Sequence, residues 1–287
     1  MPGWVNFVVA GLLTGAVYGL MALGLSVIFG VVRVVNFAHG EMMVLAMYGV
    51  ILLQHWLGLD PLVSAPVVAM ALFALGYALQ RGLLNRFIAR PEHQQFLLML
   101  GIAGLLTSSM LMVFGPDTAS VETSYALDSY EVGPLILDKV RVFAASGAVL
   151  SMALLWAFFR MSRTGKAIRA CADNPTGAAV AGLDVGRFYA TAFGIGAACV
   201  GASGTFLLLL VDVQPYLGAS YTLLSFIIVI IGGLGSMPGA LLGGLLVGVS
   251  EGLSAYFVSP SLKSLFSYGL LILVLLVRPQ GLLGRRA

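Results

Sequence analysis

A succession of long apolar segments is the feature that most constrains how this chain can fold. A helix needs about 20 mostly apolar residues to cross roughly 30 Å of bilayer hydrocarbon. We therefore predict an all-α fold in which residues 1–287 form a single transmembrane domain. It is predicted to be a polytopic transmembrane helical bundle of about 8–10 membrane segments with discontinuous helices. Segments that are long enough cover approximately 4–30, 41–57, 62–85, 95–114, 140–160, 187–211, 238–258 and 262–278.

One further apolar segment, Tyr221–Gly233, is too short for a full crossing. At 1.5 Å per residue it reaches about 20 Å, so it is predicted to be a half-span or a re-entrant piece.

The composition supports a membrane protein and argues against a soluble one. Hydrophobic residues make up 60% of the chain and charged residues 9%, against about 45–50% and about 25% in soluble domains. The 36 glycines fit this picture, because small residues let transmembrane helices approach closely. Cys171 and Cys199 show no pairing or metal-type spacing, and the histidines lie far apart, so no metal site is predicted.

The distribution of charge predicts the orientation, because Lys and Arg accumulate in short cytoplasmic loops. The acidic segments, which are expected outside, are Asp60, Asp212 and an extracytoplasmic loop over residues 115–139. The alternation closes if the short segment Tyr221–Gly233 counts as a crossing, with an external N-terminus and a cytoplasmic C-terminus, in a multi-pass protein of the bacterial-type inner (plasma) membrane. The basic segments are a loop with Arg81, Arg86 and Arg90, a cytoplasmic loop over residues 160–187, and a tail with Arg278, Arg285 and Arg286.

Two segments place glycine and polar residues within apolar runs: RVVNFAHGE at 33–41 and IGGLGSMPGALLGG at 231–244. Non-helical backbone at membrane depth persists where protein buries it or where it lines a watery cavity. Paired breaks of this kind are typical of a transport path built from two structural repeats. The residues predicted to line the path are Asn36, Phe37, His39, Gly40, Glu41, Gly232, Gly233, Gly235 and Ser236.

Structural roles for these residues remain open alternatives. Asn36 and His39 can cap helix ends, and Glu41 is favourable at a helix start, where the dipole is positive. The glycine segment can serve tight helix packing in place of a hinge or a pore constriction. Glu251, within another apolar segment, is either a hydrogen-bonded structural carboxylate or a proton carrier.

The loop MSRTGKAIRACADNPTGAAVAGLDVGR is the most specific feature of the chain. It predicts a basic helix over 163–172, a break at residues 173–175, a second small helix, and a turn at 182–186. Asn174 is the expected cap of the second helix, with Pro175 in its first turn. A helix with small apolar and basic residues suits docking into a groove of another protein. The pair Gly165-Lys166 lacks the remainder of a phosphate loop, so this chain is not expected to hydrolyse ATP.

Four ordered blocks, NFAHGE, RTGKAIRACADN, GGLGSMPGALLGG and RPQGLLG, give the chain a family resemblance over nearly its whole length. It resembles the permease family of branched-chain amino acid ABC importers, specifically the LivH-type subunit. The resemblance implies a LivM-type permease subunit, two cytoplasmic ABC ATPase subunits and an extracytoplasmic solute-binding protein as partners, in addition to the lipid bilayer that surrounds the chain. No cofactor is expected in this chain, since ATP and Mg would be bound by the ATPases, and no nucleic-acid partner is expected.

The resemblance also implies that the segment Arg163–Asp184 contains a coupling helix that enters the ATPase cleft, and that the acidic outer loop meets the solute-binding protein. The implied coupling residues are Arg163, Thr164, Gly165, Lys166, Arg169, Ala170, Asp173 and Asn174.

The same residues bear on other possible functions. Related permeases resemble importers of urea, short amides and other amino acids, so the substrate is left open. A secondary ion-coupled transporter would use His39, Glu41 and Glu251 but would not need the long basic loop. A membrane-embedded enzyme would need a cluster of nucleophilic or metal-binding residues, and the sequence shows none.

Overall fold

The computed structural model describes residues 3–88, 90–133 and 135–284. Arg285 and Arg286 of the predicted basic tail lie outside the described residues. Within the described part of the chain, eight helices are long and apolar enough to cross a membrane. They coincide with the predicted spans and confirm the polytopic helical bundle. The helices are α1 Trp4–Val32, α2 His39–Leu57, α3 Pro61–Gly82, α4 Glu92–Phe114, α5 Lys139–Met161, α6 Arg163–Asp173, α7 Pro175–Val180, α8 Val185–Leu208, α9 Leu217–Gly232, α10 Met237–Phe257 and α11 Lys263–Val277.

The short apolar segment forms α9, a helix of 16 residues. A non-helical stretch over residues 209–216 leads into it from α8. Together the stretch and the helix make one crossing, which explains why the predicted alternation closes only when this segment counts as a pass.

The loops predicted to share a side lie together at the two ends of the bundle. At one end, which we name the basic end (residues 82–92, 162–184 and 278–284), the Arg81 guanidinium pairs with the Asp184 carboxylate at 3.4 Å. Asp184 also caps α8 by accepting a hydrogen bond from the Arg187 amide at 3.0 Å. The Arg187 amide and the Arg81 charge together hold the pKa of Asp184 below its usual value. This contact fixes the loop after α3 against the start of α8.

The opposite end, which we name the acidic end (residues 115–138 and 258–262), carries a small β-hairpin that the sequence did not predict. Strand β1, Ser129–Val132, pairs antiparallel with β2, Leu135–Asp138. The loop is tied to the helices by Tyr125, whose hydroxyl donates to the Asp60 carboxylate at 3.0 Å. Burial and the neighbouring Asp60 raise the pKa of Tyr125, so its phenol stays a hydrogen-bond donor.

Helices α1 and α8 are the most buried of the spanning helices, and glycines decide how their neighbours pack. Along the α1–α10 contact, a Cβ on Gly15 would lie 2.7 Å from the carbonyl oxygen of Gly244. Along the α3–α8 contact, a Cβ on Gly76 would lie 2.6 Å from the Cβ of Ala197. Backbones this close match helix packing through small residues in a bilayer.

The packing reveals an inverted repeat that the sequence had indicated but not located. Units α1–α3 and α8–α10 each contain a long helix, a non-helical stretch and a helix that starts inside the bundle. The third helix of each unit packs on the long helix of the other. The contact between the units is reciprocal: a Cβ on Gly24 would meet the Gly196 carbonyl oxygen at 2.6 Å, and a Cβ on Gly196 would meet that of Gly24 at 2.7 Å. The two units run in opposite directions, as in many transporter folds.

The peripheral helices α4, α5 and α11 expose large apolar side chains. Met112 is 88% exposed, Leu105 is 67% exposed and Leu276 is 81% exposed. An apolar surface of this extent requires lipid or a partner subunit to cover it.

Candidate translocation path and coupling segment

The first predicted break begins where α1 ends. Arg33 has a left-handed backbone conformation (φ 59°), which stops the helix at Val32. The chain then turns back into the bundle, and α2 starts at His39. The ring of His39 is buried, and its Nε2–H donates to the Met21 carbonyl oxygen at 3.0 Å. Met21 lies about 16 Å from the end of α1 at 1.5 Å per residue. Residues 33–38 are therefore non-helical backbone that leads from the exposed Arg33 to membrane depth, where Asn36 and Ala38 are fully buried.

The N-termini of α2 and α9 meet inside the bundle, and we name this contact the junction (Asn36 to Glu41 with Gly218 and Thr222). The Gly40 amide donates to the Thr222 hydroxyl oxygen at 2.8 Å, and that hydroxyl donates to the Glu41 carboxylate at 3.1 Å. Asn36 accepts a hydrogen bond from the Ala38 amide at 3.0 Å.

These contacts favour the structural alternative for the junction. The carboxylate of Glu41 lies in the first turn of α2 and beside the first turns of α9, where two positive helix ends stabilise a negative charge. Asn36 and His39 are fully buried, and Glu41 is 5% exposed. The buried Nδ1 of His39 has no hydrogen-bond partner in the described structure.

A cavity of about 1410 Å³ opens at the basic end. It is lined by residues of both predicted path segments and by residues of the predicted coupling segment. Among the predicted path residues, Phe37, Gly235 and Ser236 line it. The others, Asn36, His39, Gly40, Glu41, Gly232 and Gly233, are buried in protein. Several other lining residues were not predicted, because the sequence does not show which way a helical side chain points. These are Arg33, Phe96, Trp156 and Arg160.

The glycine segment forms the turn between α9 and α10 at the basic end. Gly233 and Gly235 have positive φ values of 105° and 77°, which glycine adopts without strain. The Ser236 hydroxyl caps α10 by accepting from the Gly239 amide at 3.2 Å. A Cβ on Gly232 would meet the carbonyl of Gly239, so tight packing explains that glycine.

The stretch that mirrors residues 33–38 in the inverted repeat is thus 209–216, before α9, and not the glycine segment. Its polar residues, Asp212 and Gln214, are a weak signal next to RVVNFAHGE. The C-terminal block RPQGLLG packs against the C-terminal end of α9. The amides of Leu282 and Leu283 donate hydrogen bonds to the carbonyl oxygens of Ile231 and Gly232.

The predicted coupling segment, Arg163–Asp184, forms the helices that the sequence predicts. Helix α6 covers Arg163–Asp173, and α7 covers Pro175–Val180. Asn174 caps α7 by accepting from the Gly177 amide at 2.9 Å, and Gly182 has the positive φ of the predicted turn. Ser162 was not predicted as a cap, but its hydroxyl caps α6 by accepting a hydrogen bond from the Gly165 amide at 2.8 Å.

Helix α6 has three distinct faces. Its inner face packs on α5, where a Cβ on Gly165 would lie 2.6 Å from the Phe158 carbonyl oxygen. Arg169 and Asp173 line the cavity at the basic end. The outer face is exposed and consists of Arg163, Thr164, Lys166, Ala170 and Asn174.

Cysteine accessibility separates the cavity from the junction. Cysteine in place of Ser236 is expected to react with a small water-soluble thiol reagent, because Ser236 lines the open cavity. Cysteine in place of Asn36 is expected to stay unreactive without nucleotide, because that side chain is fully buried. Mass spectrometry of labelled membranes measures both rates. Equal labelling at the two positions would contradict the assignment of Asn36 to the enclosed junction.

A bundle of spanning helices interrupted by the non-helical stretches 33–38 and 209–216, with an open cavity and a projecting helix pair, is the architecture of a polytopic membrane permease. The chain belongs to the family described as "Branched-chain amino acid transport system / permease component", whose family model matches residues 7–275.

Similar curated proteins support the same family. The high-affinity branched-chain amino acid transport system permease protein LivH of Salmonella typhimurium is 34% identical, over 96% of this chain and 94% of the relative. The corresponding protein BraD of Pseudomonas aeruginosa is 29% identical over the same shares. The fructose import permease protein FrcC of Rhizobium meliloti is 27% identical, over 73% of this chain and 61% of the relative. No solved structure gives a significant match.

Proposed function

We propose that this chain is one of two permease subunits of an ATP-driven importer that carries branched-chain amino acids across a bacterial-type inner membrane. The observation that carries the proposal is the similarity to LivH, which extends over 96% of the chain at 34% identity. The printed substrate of LivH and BraD supports branched-chain amino acids as the solute. The more distant FrcC is described as a fructose permease, so the substrate needs a direct test.

The energy would come from two separate ATPases that bind ATP and Mg and dock at the basic end. The exposed face of α6 and the adjoining α7 support this docking, because they project from the bundle beside the cavity. Val180, at the end of α7, is 86% exposed and extends this surface with an apolar side chain. The cluster of basic residues at this end supports a cytoplasmic location for it and for the C-terminus.

The acidic end would face outward and receive the solute-binding protein. Its hairpin and the loop around Asp128 offer a negative surface, with Leu127 fully exposed at the tip. The exposed apolar sides of α4, α5 and α11 would be covered by lipid and by a LivM-type permease subunit.

Reconstitution in vesicles tests the proposal. Uptake of labelled leucine is expected only when the vesicles hold this chain, the second permease and both ATPases, with ATP on the ATPase side and the binding protein on the other. Unlabelled isoleucine and valine should compete, whereas urea and fructose should not. This chain purified alone should show no ATP hydrolysis. Leucine uptake by this chain alone under a proton or sodium gradient would instead identify a secondary transporter.

A further inference from the structure

A second cavity, which we name the acidic-end pocket, lies at the opposite end from the cavity described above. It has a volume of about 420 Å³ and lies between α1, α5, α8 and α10, with the start of α11 at its mouth. Neither the predicted path residues nor the proposed ATPase contact involves it. Glu251, whose role the sequence left open, lines this pocket.

The pocket holds opposite charges, each hydrogen-bonded to the surrounding helices. The carboxylate of Glu251 accepts hydrogen bonds from the hydroxyls of Tyr18 and Ser267, each at 3.1 Å. The guanidinium of Arg141 donates to the hydroxyl of Thr14 at 3.5 Å. Thr14 and Tyr18 are neighbours on one face of α1, about 6 Å apart along its axis. Glu251 and Arg141 are therefore both tied to α1, through Tyr18 and Thr14.

The rest of the lining is mainly apolar, with one uncompensated polar atom. Phe7, Leu207 and Leu210 form an apolar wall. The side-chain oxygen of Asn6, which also lines the pocket, is buried and has no hydrogen-bond partner in the described structure. A buried acceptor without a partner is costly, and a donor in the pocket would satisfy it.

We propose that the acidic-end pocket is an acceptor site in the permease for a free amino acid with an aliphatic side chain. The α-carboxylate of the ligand binds Arg141, and its α-ammonium lies between Glu251 and the side-chain oxygen of Asn6. The aliphatic side chain packs on Leu207 and Leu210. The inference deepens the proposed function and rests on it.

In this arrangement neither charge of the bound amino acid is left unpaired. Ionisable groups inside a bilayer are expensive and are normally paired or functional. Charge-assisted hydrogen bonds from Arg141 and to Glu251 would offset the loss of water around the two ligand charges. The lining holds two acidic side chains, Asp138 and Glu251, and two basic ones, Arg141 and Lys263, and Arg141 pairs with Asp138 at 2.8 Å. The pocket thus suits a zwitterion better than a single ion.

A zwitterionic phospholipid headgroup also carries an ammonium and an anion, so the experiment must separate the two sources. The complex of this chain with its partner subunits is placed in discs of phosphatidylglycerol alone or with phosphatidylethanolamine. Ala255, which lines the pocket, is replaced by cysteine and labelled with a small maleimide. Both native cysteines are buried, and the complex without Ala255→Cys gives the background.

Leucine is expected to slow labelling of Ala255→Cys by about tenfold or more at saturation, equally in both kinds of disc. Leucinamide, which lacks the carboxylate, and 4-methylpentanoate, which lacks the ammonium, should protect about tenfold more weakly, since each loses a charge-assisted bond. This comparison needs no further substitution and so does not depend on how other variants fold.

Two substitutions then assign the charges. Glu251→Gln should remove the preference for leucine over 4-methylpentanoate. Arg141→Gln should remove the preference for leucine over leucinamide. Lys139→Gln is the matched control, because Lys139 lies at the same end but pairs with Asp128 outside the pocket. Uptake of leucine is measured on the same preparations.

The outcomes separate the site from the proposed function. Absence of protection by leucine in a complex that still imports leucine overturns the site and leaves the proposed function standing. Protection that follows phosphatidylethanolamine and not leucine identifies a lipid site and overturns the proposal. Unchanged preferences in both Glu251→Gln and Arg141→Gln overturn the assigned contacts.

Discussion

Gly40→Ala is expected to prevent stable packing of α2 against α9 and to reduce sharply the amount of folded permease in the membrane. The new Cβ would meet the Gly218 carbonyl oxygen and would lie 2.6 Å from the Thr222 amide nitrogen. The hydrogen bond from the Gly40 amide to Thr222 would be lost as the helices separate. Overpacking costs about 1–3 kcal/mol, and a buried unsatisfied donor costs about 1–3 kcal/mol more. Together these are a large fraction of a typical stability of about 5–15 kcal/mol.

Gly49→Ala is the matched control on the same helix. A Cβ there would lie 3.8 Å from the nearest side-chain atom, on Val68, which is ordinary contact. It should leave stability unchanged or raise it by up to about 1 kcal/mol, since alanine favours the helix. The midpoint of thermal unfolding and the yield of monodisperse protein in detergent measure both variants. Equal midpoints for the two would show that the junction tolerates a methyl group.

The features that the sequence predicted correctly are local. Each span needed only a run of apolar residues, and the ends of α6 and α7 needed only residues such as Asn174 and Pro175 beside them. The two ends of the bundle followed from the segregation of charge. Each of these patterns involves only nearby residues, so it can be recognised in the sequence without knowledge of tertiary contacts.

What the sequence could not predict depends on contacts between distant segments. The Glu41 side chain meets Thr222, and Glu251 meets Tyr18, across most of the chain length. The true counterpart of residues 33–38 was missed because residues 209–216 show little polarity, while the conspicuous glycine segment is a turn. The hairpin Ser129–Asp138 was missed because short strands in a loop carry no long period.

The orientation of α6 also depended on tertiary structure. Gly165 and Ala170 are both small, and the sequence suggested one role for both, the fit of a helix into the ATPase cleft. The structure separates them, since Gly165 packs on α5 of the same chain and Ala170 is exposed. Their substitutions should therefore fail in different ways.

Ala170→Trp is expected to abolish uptake while leaving the permease as stable as the wild type. The indole would project from the outer face of α6 into the space that the proposed ATPase contact requires. ATP-driven closure can move the permease only through contacts that differ between the open and closed states. The ATPases should then either fail to co-purify or hydrolyse ATP without transport. Uptake, hydrolysis, co-purification and the thermal midpoint are measured on one reconstituted preparation.

Gly165→Trp should also abolish uptake, but with a lower thermal midpoint, because no room exists for the ring. The Cβ alone would lie 2.6 Å from the Phe158 carbonyl oxygen and 2.7 Å from the Phe159 Cα. Leu127→Trp, at a fully exposed position of the acidic end, controls for the bulk of an added indole and should keep both stability and ATPase association.

Two outcomes would contradict the prediction for Ala170→Trp. Normal uptake by that variant would place energy coupling elsewhere on the basic end. A lowered thermal midpoint in that variant would show that the outer face of α6 is needed for folding and not for docking.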